Sequence, residues 1–178
     1  MPPAHSIDGA VLRGPDAIDL SLTVNGEAVR VHVPPRRTLL DTLRQSLGLT
    51  GSKRVCDEGT CGACTVIVDD RPVYACMTLA IACEGKRVET IEGLAGRAGD
   101  GARDGATLHP VQRAFIEADA FQCGFCTPGQ IMSVVALLRS TPTPTEEDVR
   151  RAVAGNLCRC GAYPNIVSAG VNAGRKRK

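Results

Sequence analysis

Near the start of the chain, apolar positions recur every second residue. Ile18, Leu20, Leu22 and Val24 alternate with polar or small residues, Asn25-Gly26 interrupts them, and Val29, Val31 and Val33 resume the alternation. The pattern predicts a β-hairpin closed by a type I′ turn. Pro34-Pro35 ends its second strand, because proline donates no ladder hydrogen bond. Thr38 is placed to cap a helix carrying Leu39, Leu40, Leu43 and Leu47 on one face, with Gly48 to stop it. Thr65 to Val68 and Val73 to Cys76 read as two further strands joined by Asp69-Asp70-Arg71-Pro72, and Arg87 to Ile91 as a last strand. Together these elements predict a small β-grasp-like sheet.

Gly96, Gly99, Gly101 and Gly105 then sit among charged and small residues. No G-x-G-x-x-G opens a helix there, so the stretch reads as a linker rather than a phosphate loop. Beyond it the apolar period changes from about two to about 3.6 residues. Val111, Ala114, Phe115 and Ala118 follow Pro110 at a helix start. Ile131, Val134, Val135 and Leu138 follow Thr127-Pro128, read as a cap and first-turn pair. Thr145-Glu-Glu-Asp148 opens a third helix bearing Val149, Ala152 and Val153, its acidic residues set favourably against the helix dipole. A fourth helix runs from about Pro164 through Ile166, Val167 and Val171, and Thr141-Pro-Thr-Pro144 is the connection in the middle of the set. The expected fold is α+β: a β-grasp domain over residues 18–95, a glycine-rich linker over 96–106 and an all-α four-helix bundle over 107–174. An N-terminal extension (1–17) and a basic tail (175–178) flank them.

Charge narrows the possible partners. The formal net charge is +2, with 22% charged residues, so no nucleic-acid surface is expected, and Arg175-Lys-Arg-Lys178 reads as a solvated tail. No apolar run is long enough for a membrane span. Met1 to Asp16 contains no signal h-region, and Arg36-Arg37 follows a predicted hairpin and leads into an amphipathic helix rather than an export signal. The expectation is a soluble, cytoplasmic chain without a membrane or nucleic-acid partner.

Cysteine changes the picture most. Nine cysteines in 178 residues do not fit a short secreted disulfide framework with an even count, and clustered thiols in a reducing compartment usually serve metals or redox chemistry. Cys56-Asp-Glu-Gly-Thr-Cys61-Gly-Ala-Cys64, with Cys76 further on, has the C-x4-C-x2-C…C spacing of a plant-type [2Fe–2S] ferredoxin loop. Gly59 and Gly62 let that loop turn with positive φ so that N–H groups can approach sulfur. A second quartet, Cys123, Cys126, Cys158 and Cys160, falls in two interhelical loops that can meet at one end of a bundle. Four thiolates there suit iron–sulfur or zinc. Structural zinc favours C-x2-C on both sides, and Cys158-Arg-Cys160 is tighter, so iron–sulfur is preferred. Cys83 is left over as a buried small hydrophobe. His32 in a strand and His109 before a helix proline read as packing or capping residues.

The strings Cys56-x4-Cys61-Gly-Ala-Cys64-Thr, Leu108-His-Pro-Val-Gln-x-Ala-Phe115, Gln122-Cys-Gly-Phe-Cys126-Thr-Pro-Gly129 and Gly155-Asn-Leu-Cys-Arg-Cys160 resemble the small iron–sulfur subunit of the molybdenum hydroxylases. That family includes xanthine oxidase, aldehyde oxidoreductase and carbon monoxide dehydrogenase. Gly161-Ala-Tyr163-Pro-Asn after Cys160 is more similar to the aldehyde and isoquinoline oxidoreductase branch than to members with Thr-Gly-Tyr there. The resemblance implies two [2Fe–2S] clusters in one chain, a ferredoxin-like domain and then a helical one. It further implies a large subunit holding molybdopterin, in bacteria usually as the cytosine dinucleotide, and a medium subunit holding FAD. It places Gln122 and Cys160 against the pterin, the helical-domain cluster nearest the molybdenum and the ferredoxin-type cluster towards FAD. No catalytic residue is expected in this chain, which serves an oxidoreductase complex as its electron carrier. The competing reading is a free-standing two-cluster shuttle.

Overall fold

The structure is a computed structural model that describes residues 6–7, 10–11, 14–95 and 108–175. Most of the expected N-terminal extension, the glycine-rich linker and the basic tail beyond Arg175 lie outside the described residues. Two short strands, β1 (Ser6–Ile7) and β2 (Ala10–Val11), pair with each other. The main sheet is mixed and five-stranded, in the order β4-β3-β7-β5-β6.

The first hairpin forms as its alternation requires. β3 (Ile18–Val24) and β4 (Glu27–Val33) run antiparallel with Leu20 opposite Val31 and Leu22 opposite Val29, and Asn25 and Gly26 close it with positive φ. Thr38 accepts from the Asp41 N–H at 3.1 Å and so caps α1 (Leu39–Asp41), which widens into a π turn over Thr42–Ser46. Leu39, Leu40 and Leu43 are fully buried and pack with Leu20, Leu22, Val66 and Val88 in one core.

The second hairpin departs from expectation. Asp69 and Asp70 alone make the turn, with φ of 44° and 66°, because short carboxamide or carboxylate side chains tolerate the left-handed region. Arg71 and Pro72 therefore join the strand β6 (Arg71–Tyr74), paired with β5 (Thr65–Val68). β6 is the sheet edge, where the missing N–H of Pro72 costs no ladder bond. Cys76 lies beyond that strand, and the last strand is the shorter β7 (Arg87–Glu89), parallel to β3 and antiparallel to β5.

The second half is helical: α2 (Pro110–Glu117), α3 (Thr127–Ser140), α4 (Glu146–Val153) and α5 (Tyr163–Arg175). Val111, Phe115, Met132, Val134, Leu138, Val149 and Ile166 are at most 1% exposed and share a second core. His109 caps α2, its Nδ1 accepting from the Val111 N–H at 3.2 Å. Thr127 is not a cap as expected. α3 begins one residue earlier than that reading required, with Cys126 at the N-cap and its carbonyl accepting from the Gln130 N–H at 3.1 Å.

The lobes share β5. All four of its residues are buried: Val66 and Val68 face the first core, while Ile67 joins the helical core together with Leu94. The sheet is thus covered by the α1 segment on one side and α3 on the other, which brings the loop before β5 against the helical half. No helix among the described residues is long and apolar enough to cross a membrane.

Candidate iron–sulfur sites

The first thiol group is carried by a loop without regular structure and by Cys76, just past β6. Asp57, Gly59 and Gly62 have φ of 59°, 77° and 68°, as the glycine placement predicted for the latter two. This turning aims the Glu58 N–H at Cys56 Sγ, 3.5 Å away. That bond, with the Thr60 hydroxyl, lowers the Cys56 thiol to about 6, whereas burial beside Cys76 pushes Cys64 up to about 12. Cys61, Cys64 and Cys76 are buried and Cys56 is half-buried. Cys56 lies beside Cys61, and Cys64 beside Cys76, with Cys61 close enough to act on Cys64 as well.

The second group is assembled from two loops. Cys123 and Cys126 lie between α2 and α3, and Cys158 and Cys160 lie between α4 and α5. Cys123 lies beside Cys160 and Cys126 beside Cys158, with Cys158 acting on Cys123 and Cys123 on Cys126 as well. Burial, followed by the Cys158 side chain, pushes Cys126 up to about 12. The Phe125 N–H lowers Cys123. Burial opposes ionisation of Cys158, but the Ala162 N–H, the Cys126 thiol and the Cys160 and Gly161 N–H groups outweigh it and leave that thiol lowered. The Cys158 N–H donates to the Tyr163 hydroxyl at 2.8 Å. A cavity of about 440 Å³ borders both groups, reaching Cys61 as well as Cys123, Cys126 and Cys158.

Each group therefore offers four thiols, some already poised to ionise by backbone N–H groups and others held protonated by burial and by a neighbouring sulfur. Four thiolates so arranged repel one another unless cations join them. Among the described residues no three His, Cys, Asp or Glu side chains stand close enough to hold one metal ion. A two-iron cluster divides its thiolates between two irons, whereas tetrahedral zinc gathers them round one centre. Four thiols in each group are the donor set of the former.

Gln122 is exposed, adjacent to Cys123, and its side chain makes no hydrogen bond among the described residues. Cys160 is half-buried against the helical core. Cys83 is buried at 1% exposure with its thiol raised by desolvation, as a packing residue should be. The sequence reading missed the buried polar residues between the lobes. Asn156 and Gln130 are at most 2% exposed, and Tyr74 donates to the Gly155 carbonyl at 3.1 Å. The sole sequence signal was Gly155-Asn156 two residues before Cys158, and an asparagine in a loop ordinarily reads as a turn residue.

Residues 22–90 match a family described as a 2Fe-2S iron-sulfur cluster binding domain, and residues 90–170 match one described as a [2Fe-2S] binding domain. The aldehyde oxidoreductase iron-sulfur-binding subunit PaoA of Escherichia coli (strain K12) is 46% identical over 175 residues, covering 90% of this chain and 73% of that protein. The chain belongs to the iron–sulfur subunits of the molybdenum hydroxylase family. The nicotine 6-hydroxylase small subunit of Paenarthrobacter nicotinovorans is 44% identical to this iron–sulfur subunit over 158 residues, covering 89% and 90% of the two chains. Among solved structures, quinoline 2-oxidoreductase from Pseudomonas putida 86 superposes with a TM-score of 0.78 at 37% identity, covering 90% of this chain and 98% of the other. The aldehyde oxidoreductase of Desulfovibrio desulfuricans ATCC 27774 gives 0.81 at 41% identity, with 89% of this chain matched to 17% of a far longer one. An iron–sulfur subunit of this family is part of an oxidoreductase and serves electron transfer.

Proposed function

We propose that this chain relays electrons one at a time from a molybdopterin site in a large subunit, through two [2Fe–2S] clusters, to FAD in a medium subunit or to another acceptor. The substrate of the complex is an aldehyde or an N-heteroaromatic compound. When bound, each cluster supplies a one-electron redox centre. Cys123, Cys126, Cys158 and Cys160 hold the one nearer the pterin, and Cys56, Cys61, Cys64 and Cys76 hold the one nearer the acceptor. Gln122 and Cys160 face the pterin, in its cytosine dinucleotide form. The chain divides at the glycine-rich linker into a β-grasp ferredoxin-like domain and a four-helix bundle domain, and it works in the cytoplasm.

The observation that carries this reading is the meeting of the two thiol groups at one seam, where the Leu157 N–H donates to the Cys61 carbonyl at 2.9 Å. The chain's residues supply distance, shielding and N–H groups directed at sulfur, which together tune potential. The surface round the second group favours a permanent subunit over a free shuttle. Val55, Phe125 and Leu157 line its cavity while 54%, 52% and 55% exposed. Such apolar side chains clustered at one site mark a contact surface, and a shuttle steered by transient docking would instead favour charge.

Iron and acid-labile sulfide assays test the reading, with about two of each expected for every thiol quartet. Reduced samples should give two distinct paramagnetic signals. A single signal would sink the two-cluster reading, and a zinc content with no colour would replace it.

A further inference from the structure

Asn156 stands two residues before Cys158, and its carboxamide is buried in the seam between the lobes, 2% exposed. Its Nδ2 donates to the Gly62 carbonyl at 2.8 Å and to Thr65 Oγ1 at 3.1 Å. Its Oδ1 accepts from Ser133 Oγ at 2.7 Å. The backbone is held equally firmly: the carbonyl accepts from Gln130 Nε2 at 2.8 Å and the N–H donates to the Val153 carbonyl at 2.9 Å. Gly62 lies between Cys61 and Cys64. One side chain on the loop of the second thiol group thus grips the loop of the first from inside, while α3 fixes it from behind.

The fit leaves no room for sliding. A Cβ on Gly62 would stand 2.3 Å from the Gly155 carbonyl and 2.7 Å from Asn156 Nδ2, and a Cβ on Gly129 would stand 2.4 Å from the Gly62 carbonyl. Glycine at these positions lets the loops approach backbone to backbone. An apolar residue at 156 could also fill the seam, but apolar contacts are non-directional, whereas hydrogen bonds prescribe distance and angle. Every polar atom of the Asn156 carboxamide has a partner, and a buried polar group satisfied in this way rigidifies one arrangement, although Gln130 Oε1 beside it accepts no hydrogen bond. Other bridges join the lobes elsewhere. Arg139, in the last turn of α3, contacts Glu89 at 2.6 Å and Asp70 at 2.9 Å, about two helical turns beyond Ser133.

We propose that Asn156 is a positioning residue that fixes the separation and orientation of the two iron–sulfur sites, and with them the rate of electron transfer between the sites. This rests on the two-cluster reading above. The bonds to Gly62 and Thr65 set one loop, those to Ser133 and Gln130 set the other, and the carboxamide is the spacer between them.

The test uses the assembled complex carrying Asn156→Ala, Ser133→Ala or Arg139→Gln. The readouts are the magnetic interaction between the two reduced clusters and the rate of reduction of the ferredoxin-type cluster after the helical-domain cluster, followed by rapid freezing. Asn156→Ala should keep both signals, weaken or broaden their mutual splitting, and slow intercluster transfer by up to about 100-fold, the scale at which a misplacement of about 1 Å acts. Ser133→Ala, which frees only Oδ1, should do so in smaller measure and decides the matter if the first variant does not assemble. Arg139→Gln should lower stability yet leave the splitting and the rate unchanged. An unchanged splitting in the Asn156 and Ser133 variants, or an equal effect in Arg139→Gln, overturns the proposal. A single cluster signal in the unsubstituted complex would instead overturn the two-cluster reading on which it rests.

Discussion

The backbone N–H of Leu157 donates to the carbonyl of Cys61 at 2.9 Å, so the residue beside Cys158 of one thiol group is hydrogen-bonded to a cysteine of the other. The two belong to different lobes, each with its own core. Their contact follows from β5, whose residues are buried on both faces. A strand covered on one face only would have left the loop before it facing solvent.

Cys61→Ser is expected to abolish or alter the ferredoxin-type signal while the signal of the second group persists. Substrate should still reduce the molybdenum centre, but turnover with the terminal acceptor should fall by at least the roughly 10- to 100-fold that changes around a metal site cost. Paramagnetic resonance of reduced samples checks this, and selective loss of the helical-domain signal would reverse the assignment of the two groups.

Gln122→Ala should leave both clusters in place, because its side chain is exposed and makes no hydrogen bond among the described residues. Losing one polar contact to a pterin should weaken cofactor retention about threefold to tenfold, the equivalent of about 0.5–1.5 kcal/mol. Molybdenum content of the purified complex against iron content measures the effect, and an unchanged ratio removes Gln122 from the site.

Gly129→Ala should act as a wedge. Its Cβ would meet the Gly62 carbonyl at 2.4 Å and the Ala63 Cα at 3.2 Å, both backbone atoms that cannot rotate away. Overpacking of this kind costs about 1–3 kcal/mol and should appear as a lower urea midpoint. A neutral Gly129→Ala would mean that the lobes separate readily at this point.

Asp148 carries an acid dependence of known sign. The Thr145 hydroxyl and N–H donate to its carboxylate and lower it from its ordinary 3.8. A group depressed on folding adds stability above its unfolded value, and that contribution is lost as pH falls through the folded value. Asp148→Asn should therefore flatten the fall in stability below about pH 4, while leaving the neutral plateau parallel to that of the unsubstituted chain. Urea midpoints measured across pH decide it.

Much of this molecule was legible locally. Alternation at Ile18 to Val33 specified a hairpin because side chains on a strand change face at every residue. Spacing of about 3.6 located the four later helices, and the eight grouped cysteines announced themselves by C-x4-C-x2-C with Cys76, by Cys123-x2-Cys126 and by Cys158-Arg-Cys160. The misreadings were also local. Asp69-Asp70 sufficed for a turn assigned four residues, and Thr127 lay inside the helix that it was expected to cap. What only the tertiary structure decided was long-range. It decided that Ile67 belongs to the helical core while Val66 and Val68 belong to the other, and that Asn156 reaches across 94 residues of sequence to Gly62. Periodicity reports which face of an element is apolar, but it carries no record of what that face will meet. Burial of the seam turned an ordinary loop asparagine into the link between the two thiol groups.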